Sequence, residues 1–242
     1  MSIAAELSAR GGLAVLVDPS RTSPAEAAML AARAADDGAA ALLIGNSFGD
    51  TGETAVVARA LKGAAPALPL LQFPATAAQL IAEVDAVLFL TLVSGRNAQY
   101  LIEEQVRAVP FVEAHSELEV IATAYCLVDG GRVTSVESVS QTRPLPADKP
   151  EILGAHVRAA MLLGLRATYV DAGSGASRPV SAAMIRAARD AAKGPLFVGG
   201  GVRSADGVRA ARAAGADLVV VGTQFEQGGA RAVRELALAA RA

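Results

Sequence analysis

The sequence predicts a single (β/α)8 barrel over residues 1–242, on three observations. Eight short apolar runs rich in leucine or β-branched residues recur at nearly even spacing, and helix-like segments fill most of the gaps between them. The length, 242 residues, is close to the roughly 250 that such a barrel takes. Hydrophobic residues make up 52% of the chain and mean hydropathy is +0.39. A membrane span would explain that bias, but no stretch reaches the roughly 18 consecutive apolar residues a span needs. Parallel strands covered by helices read as continuous apolar runs, so a barrel explains it better and no transmembrane segment is expected.

The predicted strands are 13–17, 40–44, 68–72, 86–92, 120–128, 167–170, 196–198 and 218–221. Ser23-Pro24-Ala25-Glu26 supplies an N-cap and a first-turn proline before an alanine-rich helix. Asp148-Lys149-Pro150-Glu151 does the same before residues 152–163. Ser204-Ala205-Asp206 opens a further helix, which Ala214-Gly215 closes with glycine past the end. Two places break the alternation. Only 74–84 separates strands three and four, so the third helix is expected to be reduced or missing. After strand five, Asp129-Gly130-Gly131 reads as a tight turn and 132–139 as a returning strand, a hairpin extension. An open doubly wound sheet shares the βα alternation. Eight evenly spread strands favour the barrel, and no Gly-x-Gly-x-x-Gly follows the first strand.

Several function classes are excluded early. One cysteine, Cys126, permits no intrachain disulfide, and the start MSIAAELSARGG lacks a basic n-region with a long apolar core; both suit a cytoplasmic enzyme. Net charge is −2 with no run of like charges, which argues against nucleic-acid binding. His115 lies in a loop, His156 inside an apolar helix, and Cys126 inside a strand. No Ser-His-Asp or Cys-His set assembles at strand ends, which disfavours nucleophilic hydrolysis.

In a barrel, function sits where strands end. Strand seven runs into Gly199-Gly200-Gly201 and then a helix start, and strand eight into Gly222-Thr223. Glycines let the backbone approach an anion closely, so this pair of loops predicts phosphate binding, with simple tight turns as the plainer alternative. Strand six ends in Tyr169, Val170, Asp171, Ala172, Gly173, Ser174 and Gly175. Asp171 is placed to orient or deprotonate a substrate hydroxyl; its plainer role is an Asx-type loop brace. As an exposed strand-end acid it is expected to contribute little to the core. Asp18 ends strand one and Ser47 follows strand two, a sparse pair that suits Mg²⁺, which keeps waters and leans on substrate phosphates. Asp-Pro is also an ordinary turn starter.

At these residues the chain resembles the geranylgeranylglyceryl phosphate synthase family, barrel prenyltransferases of ether-lipid synthesis. The likeness runs from Asp18 to Gly222. It includes Leu16-Val17-Asp18-Pro19, Ile44-Gly45-Asn46-Ser47, Phe73-Pro74, Asp85-Ala86-Val87-Leu88-Phe89-Leu90 and Thr142-Arg143-Pro144-Leu145-Pro146-Ala147-Asp148-Lys149. Most specific are Ser94-Gly95-Arg96-Asn97 and the Tyr169–Ala176 run, which resemble the family's second group. The resemblance implies a reaction in which the 3-hydroxyl of sn-glycerol 1-phosphate attacks C1 of geranylgeranyl diphosphate and diphosphate leaves. It implies Mg²⁺ held by Asp18 and Ser47. Glycerol phosphate would lie against Tyr169–Gly175, Gly200, Gly201, Gly222 and Thr223, with Asp171 on its hydroxyls and Arg96 on the diphosphate. A missing third helix, a homo-oligomer (hexamer or dimer) and loose membrane contact through the product are implied as well. Four positions depart from what the family often has: Ser20-Arg21 stands for Asp-Lys, Asn46 for glycine, and Asp171 for glutamate. A sugar-phosphate isomerase or lyase barrel, and a non-catalytic phosphate-ligand binder, are the alternatives; the first needs a second acid or base facing Asp171.

Overall fold

Eight parallel strands close into a barrel in a computed structural model of the chain, which describes residues 2–47, 51–222 and 233–241. The strands are β1 (Gly12–Val17), β2 (Ala41–Ile44), β3 (Leu70–Gln72), β4 (Ala86–Leu92), β5 (Glu119–Leu127), β6 (Ala167–Asp171), β7 (Leu196–Gly199) and β8 (Leu218–Val221). Each pairs with the next in sequence, and β8 closes on β1 with Leu13 opposite Val219 and Val15 opposite Val221. Alternate residues of each strand face opposite ways. Leu43, Leu71, Leu88, Tyr169 and Phe197 fill the barrel interior, while Leu42, Ile44, Val170 and Val198 pack outward under the helices. Both faces are therefore dry, and each large side chain buried there stabilises the fold by about 1.5–3 kcal/mol.

The helices are α1 (Ile3–Arg10), α2 (Pro24–Asp36), α3 (Thr51–Ala64), α4 (Glu104–Ala114), α5 (Ser135–Ser140), α6 (Pro150–Leu162), α7 (Ala182–Ala191) and α8 (Ala205–Ala213), and residues 233–241 are helical too. The Ser23 cap of α2 is a full capping box with Glu26, and Pro24 holds the first turn. Ser204 caps α8 through the Gly207 amide at 3.1 Å, and Gly215 ends it at φ +108°. The crossover between β3 and β4 is a short 3-10 turn, Ala77–Gln79, as expected.

Two features depart from the sequence reading. The first is α1, which had no counterpart there. Ser2 caps it, its first amides donate to the Glu119 carboxylate, and Leu7 is buried against the barrel interior. The second is the expected hairpin after strand five: residues 132–139 do not return as a strand but lead into α5. A returning strand needs a free edge, and both edges of β5 are already paired, to β4 and to β6. Val133, Val136 and Val139 recur every third residue, so helix puts Val136 and Val139 on one side, where they line an apolar groove. Only an isolated bridge, Val128 to Leu145, extends the sheet there.

Candidate functional site

The C-terminal strand ends open into a cleft of ≈ 880 Å³. Its floor is aromatic. Phe73 and Phe197 stack on the two faces of Tyr169, with ring centroids 4.8 and 5.9 Å away, and Tyr125 meets Phe73 and Tyr169 edge-on at 5.7 and 5.6 Å. This plug fixes the end of β6, and Asp171 stands on it.

Asp171 is only 7% exposed, so the expectation of an exposed acid is corrected. Its Oδ1 accepts the Gly173 amide at 2.8 Å, which is the loop brace, and its Oδ2 accepts the Tyr125 hydroxyl at 2.7 Å. The loop brace thus occupies one oxygen of the carboxylate and Tyr125 engages the other. Burial pushes the Asp171 carboxyl above its ordinary pKa, and the two hydrogen bonds pull part of the way back. Burial, with the Asp171 charge adding to it, pushes the Tyr125 and Tyr169 phenols well above theirs, so Tyr125 stays a donor at any working pH.

Gly200 sits at φ +79°, and a Cβ there would lie 2.7 Å from both Asp171 Oδ1 and the Gly173 nitrogen. Only glycine permits that backbone so close to the carboxylate. The Gly200 and Gly201 amides donate to no acceptor among the described residues, which leaves them for an anion. Gly201, Gly222, Ser174, Gly175 and Tyr169 also line the cleft. Three other expected contacts are not brought to it. Val170 and Ala172 pack outward in the helical layer, and the Gly173 amide is used on Asp171. Thr223 lies outside the described residues. On the same side, a Cβ at Gly173 would meet Thr134, a buried cleft residue.

Across the mouth, Asp18, Arg21, Asn46 and Ser47 form the second corner. Asp18 Oδ1 accepts from the Ser20 amide at 3.0 Å, the Ser20 hydroxyl at 2.7 Å and Asn46 Nδ2 at 3.1 Å; Oδ2 lies 3.5 Å from Arg21 Nε. Ser20, Arg21 and Asn46 therefore all converge on this carboxylate. No group of three His, Cys, Asp or Glu residues able to hold a metal occurs among the described residues. Arg96, expected on the diphosphate, is turned elsewhere. It donates to the Gly95 carbonyl at 2.6 Å and contacts His156 Nε2 at 3.3 Å, because His156 Nδ1 is held on the Ile152 carbonyl and leaves Nε2 as the acceptor.

An apolar groove adjoins the mouth, with Ser47, Pro74, Leu90, Tyr125 and Val136 lining both. Deeper in, its walls are Leu80, Leu88, Leu92, Tyr100 and Ala108. Sequence reasoning implied a groove for a prenyl tail but could not trace its walls, and it missed Tyr125. Tyr125 carried one usable signal, a lone tyrosine in an apolar strand, and the structure sets it opposite Tyr169.

Fold and site together define a (β/α)8 barrel enzyme with a glycine-lined anion corner, a buried acid and an apolar groove at one mouth. The chain belongs to the PcrB family, whose model matches residues 9–240. A curated geranylgeranylglyceryl phosphate synthase of Spirosoma linguale is 41% identical over 223 residues, covering 92% of this chain and 88% of its own. That of Methanothrix thermoacetophila is 40% identical, covering 88% and 83%. The solved structure of (S)-3-O-geranylgeranylglyceryl phosphate synthase from Thermoplasma acidophilum, in complex with its substrate sn-glycerol-1-phosphate, superimposes with a TM-score of 0.92 at 26% identity, covering 100% of this chain and 99% of that one.

Proposed function

We propose that the protein is a prenyltransferase that joins sn-glycerol 1-phosphate to geranylgeranyl diphosphate. The observation that carries this reading is the position of the Tyr125–Asp171 pair, at the mouth between the glycine corner and the opening of an apolar groove. Phosphate on Gly200, Gly201 and Gly222 places the glycerol hydroxyls against Asp171. The prenyl tail lies in the groove, and its diphosphate reaches the Asp18 corner. The 3-hydroxyl oxygen forms a bond to C1, the C1–oxygen bond to diphosphate breaks with its electron pair, and the hydroxyl proton passes to Asp171. A carboxyl raised by burial is the better base for that proton. The aromatic floor keeps water from the allylic carbon.

The residues at the second corner fit a Mg²⁺ ion that arrives with the diphosphate rather than a preformed cage. Asp18 and Ser47 would be its protein ligands, and Mg²⁺ usually keeps waters and binds substrate phosphates besides. When bound, the ion offsets charge on the leaving diphosphate. Arg21 adds a second positive charge at the same place. Neither a sugar-phosphate isomerase nor a non-catalytic binder makes use of the groove, and the group facing Asp171 is a phenol, not a second acid.

Incubation of the protein with Mg²⁺, sn-glycerol 1-phosphate and labelled prenyl diphosphates, followed by butanol extraction, tests the reading. Absence of an extractable ether at every chain length refutes it. No helix among the described residues is long and apolar enough to cross a membrane. The exposed residues Ile102, in the turn just before α4, and Val106 and Val109 on α4 support a homo-oligomer, which light scattering measures directly.

A further inference from the structure

The segment that stands in for the third helix, residues 73–81, forms one wall of the apolar groove through Pro74, Ala75, Thr76, Ala77 and Leu80. Besides the two backbone bonds of its 3-10 turn, side chains hold it. Gln72, 1% exposed on β3, donates to the Gln79 carbonyl at 2.6 Å and accepts the Ile81 amide at 3.1 Å. Thr51 donates to the Ala78 carbonyl at 2.7 Å, and Glu104 accepts the Ala77 amide at 2.7 Å. Gln79 then carries the connection onward. Its Oε1 accepts the Ala75 and Thr76 amides at 2.7 and 3.3 Å, so its Nε2 is left to donate, and it donates to Asn46 Oδ1 at 3.2 Å. Asn46 Nδ2 is thereby turned to Asp18 Oδ1, 3.1 Å away.

The direction of every bond in this chain is set by the two backbone donors at its start, since an amide offers an acceptor on one side and donors on the other. Asp18 Oδ1 ends with three donors, two from Ser20 and one from Asn46, and Oδ2 faces only the exposed Arg21 guanidinium at 3.5 Å among the described residues. The carboxylate is held with one oxygen occupied and the other presented.

We propose that Asn46 and Gln79 are positioning residues for Asp18, a directional amide relay that ties the wall of the apolar groove to the diphosphate corner. The inference rests on the prenyltransferase reading and deepens it, because it assigns the family departure at Asn46 a task. Where a glycine would leave Asp18 to orient itself, Asn46 fixes it from the groove side. The segment that lines the tail and the acid that meets the diphosphate thus form one hydrogen-bonded unit.

The test is calorimetric binding of inorganic diphosphate with Mg²⁺ to the full chain, beside binding of sn-glycerol 1-phosphate, which reports whether the mouth is intact. Asn46→Ala is expected to weaken diphosphate binding by about 10–100-fold, the usual range when a partner of a metal ligand is removed, with glycerol phosphate affinity unchanged. Gln79→Glu keeps the acceptor for Ala75 and Thr76 but has no N–H for Asn46. Asn46 then turns its nitrogen to residue 79 and its oxygen to Asp18, so diphosphate binding is lost to a similar extent. In the Asn46→Ala background the same change adds little. Steady-state kinetics should show a lower kcat and a higher half-saturating Mg²⁺, with KM for glycerol phosphate constant. Unchanged diphosphate affinity in Asn46→Ala, wild-type behaviour of Gln79→Glu, or additive losses in the double variant each overturn the relay. A wild-type protein that makes no ether fails the parent reading and the relay with it. One that makes ether while Asn46→Ala binds diphosphate normally fails the relay alone.

Discussion

Replacing Tyr125 by phenylalanine removes a single hydroxyl and leaves the ring contacts to Phe73 and Tyr169 in place. That hydroxyl donates to Asp171 Oδ2 at 2.7 Å in a buried setting. It favours the charged carboxylate, so it lowers the Asp171 pKa against the upward push of burial. A hydrogen bond to a charged group contributes about 1.5–3 kcal/mol. At about 1.4 kcal/mol per pKa unit, its removal should raise the Asp171 pKa by roughly one to two units. If Asp171 must be ionised to take the hydroxyl proton, activity falls on the acid side of that pKa. The assay is kcat/KM for glycerol phosphate against pH, wild type beside Tyr125→Phe. The acid limb should move upward by about one to two units, with activity approaching the wild-type level at high pH. The phenol itself is raised well above 10 and does not titrate in that range, so the shift reports the carboxylate. An acid limb at the same pH in both proteins refutes the pairing of Tyr125 with a catalytic carboxylate.

Asp171→Asn should nearly abolish turnover without unfolding the protein. Since the folded-state pKa is raised, the stability this group contributes is present below its unfolded pKa and is lost as pH rises through the folded value. At neutral pH the amide variant is therefore expected to melt at or above the wild-type temperature, with its advantage shrinking toward acid pH; a lower Tm at neutral pH counts against it. Asp18→Ala should raise the Mg²⁺ needed for half-maximal rate, and an unchanged Mg²⁺ titration removes Asp18 from the metal corner. Ala108→Phe places a ring in the groove wall, so products should shorten by roughly one isoprene unit, as a filled apolar pocket rejects the longer substrate. Chromatography of the products decides it, and an unaltered length distribution means the tail lies elsewhere.

Much of the barrel was legible in the chain. The strand at 86–92 and that at 218–221 fall where the apolar runs place them, and the others shift by a residue or two at their ends. Ser23, Pro150 and Ser204 mark helix starts because capping is local chemistry, read within a few residues. Strand ends could be read for the same reason, which brought Asp18, Asp171 and the glycines at 200, 201 and 222 forward as candidates. The reading failed at 132–139, where the Asp129-Gly130-Gly131 turn suggested a returning strand, because β4 and β6 already occupy both edges of β5. It failed at Arg96, whose direction depends on a histidine far along the chain.

By itself the sequence determined the order of strands, the helix starts and the set of residues at the mouth. Tertiary structure decided which face of each strand looks inward. In a parallel barrel both faces are dry, so a run of apolar residues does not say which alternate set fills the interior. That choice puts Tyr125 under Asp171, turns Val170 away from the cleft and lines a groove with residues from β4, α4 and α5. The buried acid and its phenol lie on neighbouring strands, β6 and β5, and meet only because these faces of both strands turn into the barrel.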